Sequence, residues 1–342
     1  AAALAPAAPA VASLAPPLRR LLRERREAFS LSDLVALLEL EFVADDEVLA
    51  WAAPDLARRV RYMGGNLMGK CAAAFARGGH FDAKLMDKLA ASAYQRFDIL
   101  NAPQSIDVLW SLATFRHMHE EFIEAVAESA AEDIGQHSPA DIVRLAWSVA
   151  RLGYQDERLN EAIRKATTWK IKELTPREIG QVVQSFEQLD TSPSQSFCKF
   201  ASRRVVSETG GFDAQAIGAL TLACGPMQAT AEAADADAVV DPGFVLSVEK
   251  HALSDIRSYS IEDLGNLLTG LGRMRAGSLA VREAAAEELV AKLGRAGAEE
   301  KAEAVRHLAQ LRVPLPAGAA ASLEAAAAEV GLSLQAESPE GM

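Results

Sequence analysis

Two stretches 37 residues apart, LWSLATF at Leu109–Phe115 and AWSVARLG at Ala146–Gly153, superimpose without a gap and bring Trp110 onto Trp147. Extending that register in both directions finds units beginning near Gly65, Asn101, His137, Thr175, Gly211, Tyr259 and Ala296. Self-similarity at this period marks a supersecondary unit that cannot bury its apolar face alone and must stack on copies of itself. Within the clearest unit, His137 to Leu174, Ser138 with Asp141 caps a first helix, Gly153 stops it, and Asp156 opens a second helix running toward Leu174. The sequence therefore predicts an all-α fold, an α-solenoid of about seven to eight helical-hairpin repeats.

Around this array the chain changes character. Residues 1–28 are Ala/Pro-rich and then basic, with Arg19, Arg20, Arg23, Arg25 and Arg26 against Glu24 and Glu27, the composition of an organellar transit leader. Residues 29–64 read as a diverged capping repeat in which Ser30 and Asp33 cap one helix, Asp45 and Asp46 interrupt it, and Pro54 starts another. The array spans 65–332, its fifth unit lengthened by an acidic, Ala-rich insertion at 227–243 that reads as a loop between two helices, and 333–342 is a tail.

Composition narrows the function classes. Aromatics are only 6% while half the residues are hydrophobic, which favours closely packed helices over sheets. A formal net charge of -12 argues against non-specific coating of nucleic acid and leaves room for a local basic groove. Cys71, Cys198 and Cys224 are scattered and odd in number, consistent with a reducing compartment and no zinc module. No apolar run reaches the ~18 residues of a membrane span.

Motifs for catalysis or cofactors do not survive their context. Gly64 to Lys70 spells GxxxxGK, but Cys71 stands where Ser or Thr would hold a metal ion, and the register places Lys70 and Cys71 inside a helix. His117 and His119 flank a turn without a third ligand, so no metal is expected there. No nucleophile, base and orienting group match across repeats. The expectation is a non-enzyme without cofactors.

Candidate binding residues come from columns. Along the first helix of the clearest unit, Ile142, Leu145, Ala146, Val149 and Leu152 form the inward stripe. The other side carries Arg144, Trp147, Ser148 and Arg151, and each recurs along the array. The Arg144 column holds Lys70, Asp107, Gln181 and Asn266; the Arg151 column holds Arg77, Thr114, Gln188, Arg273 and Gln310; the Ser148 column holds Ala74, Ser111, Ser185, Gly270 and His307. Such a face offers guanidinium and amide donors beside small residues that permit close approach, as in repeat proteins that read single-stranded RNA. The candidate RNA-binding set is Lys70, Arg77, Arg144, Trp147, Ser148, Arg151, Gln181, Gln188 and Arg273. A solvated polar face, or a scaffold surface for a peptide or neighbouring subunit, is the competing reading. Trp110 and Trp147 could stack on bases or fill the seam between repeats, and Trp169 reads as packing.

LWSLATF and AWSVARLGY resemble the tryptophan-alanine-leucine-glycine signature of the helical repeats in octotricopeptide, heptatricopeptide and FAST-kinase-like organellar proteins, over about Gly65 to Leu332. Other units carry Gln184, Thr269 and Arg306 in place of the Trp; the octotricopeptide Pro-Pro-Pro-Glu-Trp signature and the nuclease-like RAP domain of many relatives are not seen. The resemblance implies a role in RNA stability, processing or translation in mitochondria, or alternatively plastids. Its implied partners are single-stranded or structured RNA and neighbouring subunits of a ribonucleoprotein such as the ribosome.

Overall fold

The 37-residue grid of the sequence reappears as a grid of helix caps. Asn101, Ser138 and Thr175 each begin a first helix, their side chains accepting from the backbone N–H of Gln104, Asp141 and Glu178 at 3.1, 3.2 and 3.3 Å. Asp45, Asp82, His119 and Asp156, again 37 apart, begin the second helices, accepting from Val48, Leu85, Phe122 and Leu159 at 2.9, 2.7, 3.4 and 2.8 Å. Each such cap satisfies an otherwise orphaned N–H and contributes about 1 kcal/mol.

The computed structural model describes residues 15–24, 29–40, 42–233, 239–311 and 315–331. Among these there are seventeen α-helices and no strand. After α1 (Ala15–Glu24) come the hairpins α2 (Leu31–Leu38) with α3 (Asp46–Arg59), α4 (Gly65–Gly78) with α5 (Ala83–Gln95), α6 (Ala102–Thr114) with α7 (Glu120–Asp133), and α8 (Pro139–Leu152) with α9 (Glu157–Lys170). There follow α10 (Pro176–Gln188) with α11 (Gln195–Glu208), α12 (Ala214–Ala233) with α13 (Phe244–Ser254), α14 (Ile261–Arg273) with α15 (Leu279–Arg295), and α16 (Ala298–Leu311) with α17 (Ala317–Glu329). None of these helices is long and apolar enough to cross a membrane.

The chain divides into two units, Ala1–Ala166 and Thr167–Met342. Each is an α-solenoid stack: in the first, α2, α4, α6 and α8 pack side by side as one layer and α3, α5 and α7 as the other. In the second unit, α10, α12, α14 and α16 form one layer and α11, α13, α15 and α17 the other. Most of the inward stripe is where the periodicity put it: Ile142, Leu145, Ala146 and Val149 are buried, each large side chain contributing about 2 kcal/mol by leaving water, while Leu152 at the helix end is half-buried.

Two boundaries depart from the sequence reading. Pro54 lies inside α3 instead of opening a helix, because buried Leu49, Ala52, Ala53, Leu56 and Ala57 run through it on one face and offset the lost backbone bond. The insertion at 227–243 is not all loop: α12 continues to Ala233, and Val239 and Val240 are buried with both amides donating to Gln228 Oε1 at 3.1 Å. Residues 234–238 lie outside the described residues, as do the expected tail 333–342 and the side chain of Gln310. Of the basic leader, 1–14 and 25–28 also lie outside them, but Arg19 on α1 donates to Val43 O at 3.2 Å and Phe42 O at 2.6 Å and pairs with Asp45 at 2.8 Å.

The turn after four consecutive first helices, α4, α6, α8 and α10, takes a left-handed residue. Positions 79, 116, 153 and 190 have φ of 69°, 52°, 67° and 51°, occupied by Gly79, Arg116, Gly153 and Asp190. A side chain other than Asn or Asp costs roughly 1 kcal/mol there. Arg116→Gly is therefore expected to raise the unfolding free energy by about 0.5–1 kcal/mol, read from the urea midpoint at unchanged m-value, with a smaller gain for Asp190→Gly.

Candidate functional site

On the first helices of the first unit, burial leaves one narrow strip in contact with solvent. Between the helix ends, where further residues are open, it runs along α8 through Ala140, Arg144, Trp147 and Arg151; along α6 through Pro103, Asp107, Trp110 and Thr114; and along α4 through Asn66, Lys70 and Arg77. Because α4, α6 and α8 lie side by side, these residues are neighbours across helices as well as along them. The structure thus brings together Lys70, Arg77, Arg144, Trp147 and Arg151.

The two tryptophans are neither fully packed nor free. Their rings lie 6.5 Å apart at 41°, half-buried, and each carries a guanidinium: Arg144 sits 5.1 Å above Trp110 and Arg151 sits 5.4 Å above Trp147. Such cation–π contacts contribute about 0.5–1 kcal/mol at exposed sites and hold the arginines in defined positions. Arg144 also pairs with Asp107 on the preceding first helix, and Lys70 with Glu39 at 2.9 Å. Arg77 and Arg151 are exposed and have no ion-pair partner among the described residues, so the strip keeps surplus positive charge within an acidic chain. The role of Asp107 was hidden in the sequence, where it stood among the polar members of the Arg144 column. Only the neighbouring helix shows that it orients a cation.

Ser148 is a correction. It is fully buried, and its hydroxyl donates to Arg144 O at 2.6 Å; Ser111 and Ser185 do the same to Asp107 O and Gln181 O at 2.7 and 2.8 Å. The small residues of this column do permit close approach, but of helix to helix rather than of ligand to helix.

In the second unit the columns diverge. Gln181 is half-buried and Gln188 exposed on α10, while Asn266 is buried and hydrogen-bonded to His307 at 3.2 Å. Arg273 is exposed and lines a cleft of about 230 Å³ with Val183, Phe186, Glu187, Asp190 and Pro193. Although Glu187 is exposed by surface area, desolvation beside the cleft pushes its carboxyl up to about 7, Glu262 adds to the rise, and Arg273 opposes it. A carboxyl raised in the folded state from the ordinary 4.5 holds its proton longer than in the unfolded chain, so it lowers stability as pH climbs from about 4.5 to 7 and adds no further change above. Glu187→Gln is expected to remove that decline, which urea unfolding measured across pH 4.5 to 8 would show.

Cys71 is buried, its thiol pushed up to about 12 by desolvation, and Lys70 and Cys71 lie within α4, which excludes the phosphate-loop geometry that the GxxxxGK spelling suggested. Trp169 is a second correction: the expected packing role does not hold, because the residue is 71% exposed.

These features define a helical-hairpin α-solenoid whose first unit bears an arginine–tryptophan strip. Residues 34–228, more than half of the chain, match the family model of RNA-editing substrate-binding complex 6 protein, and the chain belongs to that family. No curated protein matches the chain. The match supports the coarser part of the resemblance drawn from LWSLATF and AWSVARLGY, a helical repeat family associated with RNA, under a different family name.

Proposed function

We propose that the chain binds single-stranded RNA along the strip of its first unit, as a non-catalytic component of an RNA-editing substrate-binding complex in the mitochondrion. The observation that carries this is the pairing of half-buried Trp110 and Trp147 with Arg144 and Arg151. The part of each half-buried ring left open to solvent can take an unstacked base, and the guanidiniums above the rings can hold phosphates. Arg77 and Lys70 extend the cationic track across α4. The family name supports RNA as the class of ligand and neighbouring proteins as further partners, and the basic residues 1–28 support an organellar setting. RNA affinity after Arg144→Glu with Arg151→Glu tests the reading; unchanged affinity and salt dependence would remove it.

A further inference from the structure

We infer that the C-terminal end of α9, the turn after it and α11, all within the second unit from Thr167 on, carry a separate contact for single-stranded RNA, in which the Trp169 indole stacks on a base while Lys172 and Arg203 hold phosphates. Trp169, near the end of α9, is 71% exposed, whereas Trp110 and Trp147 are half-buried. One turn on, the Lys172 ammonium lies 5.6 Å from the ring centre of Phe200 on α11. Arg203 is exposed one turn further along α11, with Lys199 beside Phe200. Arg204 ties the two elements together by donating to Leu174 O at 3.2 Å, and within α11 it pairs with Glu208 at 2.9 Å.

Two properties make this more than a solvated helix face. Lys172, Lys199 and Arg203 have no ion-pair partner among the described residues, in a chain whose net charge is -12. Unpaired cations, one over the Phe200 ring and three residues from the exposed Trp169, in an acidic chain call for an anionic partner. An acidic peptide would satisfy the cations and leave the exposed indole without a partner; a single strand supplies both a flat base and phosphates on either side of it. This contact uses no residue of the strip in the first unit and stands or falls separately.

The test uses the full chain and a short, mixed-sequence, fluorescently labelled single-stranded RNA. Trp169→Ala should lower affinity about five- to a hundredfold, the range of one base stack, with Trp169→Phe retaining part of it. Lys172→Glu with Arg203→Glu should weaken binding and flatten its salt dependence. RNA should quench indole fluorescence less in Trp169→Phe than in the parent chain. Because these side chains are exposed, thermal midpoints should stay put, which separates lost binding from lost folding. Parent-like RNA binding in both patch variants overturns the inference, even if Arg144→Glu with Arg151→Glu abolishes binding. Loss of binding to polyglutamate alone overturns it too, in favour of an acidic protein partner. Weakened RNA binding in the patch variants beside a parent-like strip variant sustains it and overturns the strip.

Discussion

Arg144→Glu combined with Arg151→Glu is expected to weaken binding of single-stranded RNA on the order of a hundredfold, since two charge-assisted contacts are removed and replaced by repulsion. The slope of log affinity against log salt should also fall by about 1.4, because each phosphate neutralised on a single strand contributes about 0.7. The two positions should not contribute equally. Arg151 is exposed and held only over Trp147, so its charge is available at little cost. Arg144 is already paired with Asp107, and an incoming phosphate must share or replace that partner, a surface ion pair of at most about 1 kcal/mol. Arg144→Glu also sets two carboxylates side by side, so Arg144→Gln with Arg151→Gln serves as the milder pair that keeps the fold out of the result. Ser148→Ala should leave affinity untouched, because its hydroxyl faces Arg144 O and no solvent. Parent-like affinity and slope in both double variants would end the claim that this strip meets RNA.

How far these sites could be read from the chain depends on whether a residue's role is set within one repeat or between two. Caps and stops are local, so Ser138, Thr175, Asp156 and Gly153 were readable from their own neighbours. The left-handed stop recurs at Arg116 and Asp190 without glycine, since the grid holds the turn even where the residue type does not favour it. The strip's membership was readable because helical period and repeat period together decide which positions share a face. Its chemistry was not: Arg144 stacks on Trp110 and pairs with Asp107, both on the preceding first helix, whereas in sequence its nearest ring is Trp147. Ser148 misled for the same reason. Small residues mark close approach, and nothing within one repeat says what approaches. Trp169 misled because a large ring is usually buried, and its exposure is decided by what packs around the end of α9.

Gly270→Ala is expected to destabilise the second unit by about 3 kcal/mol, although alanine is worth about 1 kcal/mol more than glycine inside a helix. A Cβ at 270 would lie 2.2 Å from Thr221 O, 2.3 Å from Thr221 C and 2.6 Å from Leu222 N. These are backbone atoms of α12, so the clash cannot be relieved by a rotamer change and requires α12 and α14 to move apart. Separation would disturb Gly218 against Asp263 and Gly225 against Gly270 along the same seam, where a Cβ would stand 2.9 and 3.0 Å from the facing carbonyl oxygens. Gly65→Ala is the contrast: its Cβ would come to 2.4 Å of Gln104 Oε1, the end of a flexible side chain that can swing away. Urea unfolding should therefore separate the two, with a large loss at 270 and a small change at 65; a loss under about 0.5 kcal/mol at 270 would mean that the seam is not rigid. Gly270 stands in the column of Ala74, Ser111, Ser148 and Ser185, all buried. One position per repeat thus sets how near neighbouring first helices come. In the first unit that spacing in turn sets the distance between Trp110 and Trp147, and with it the reach of the strip along an RNA strand.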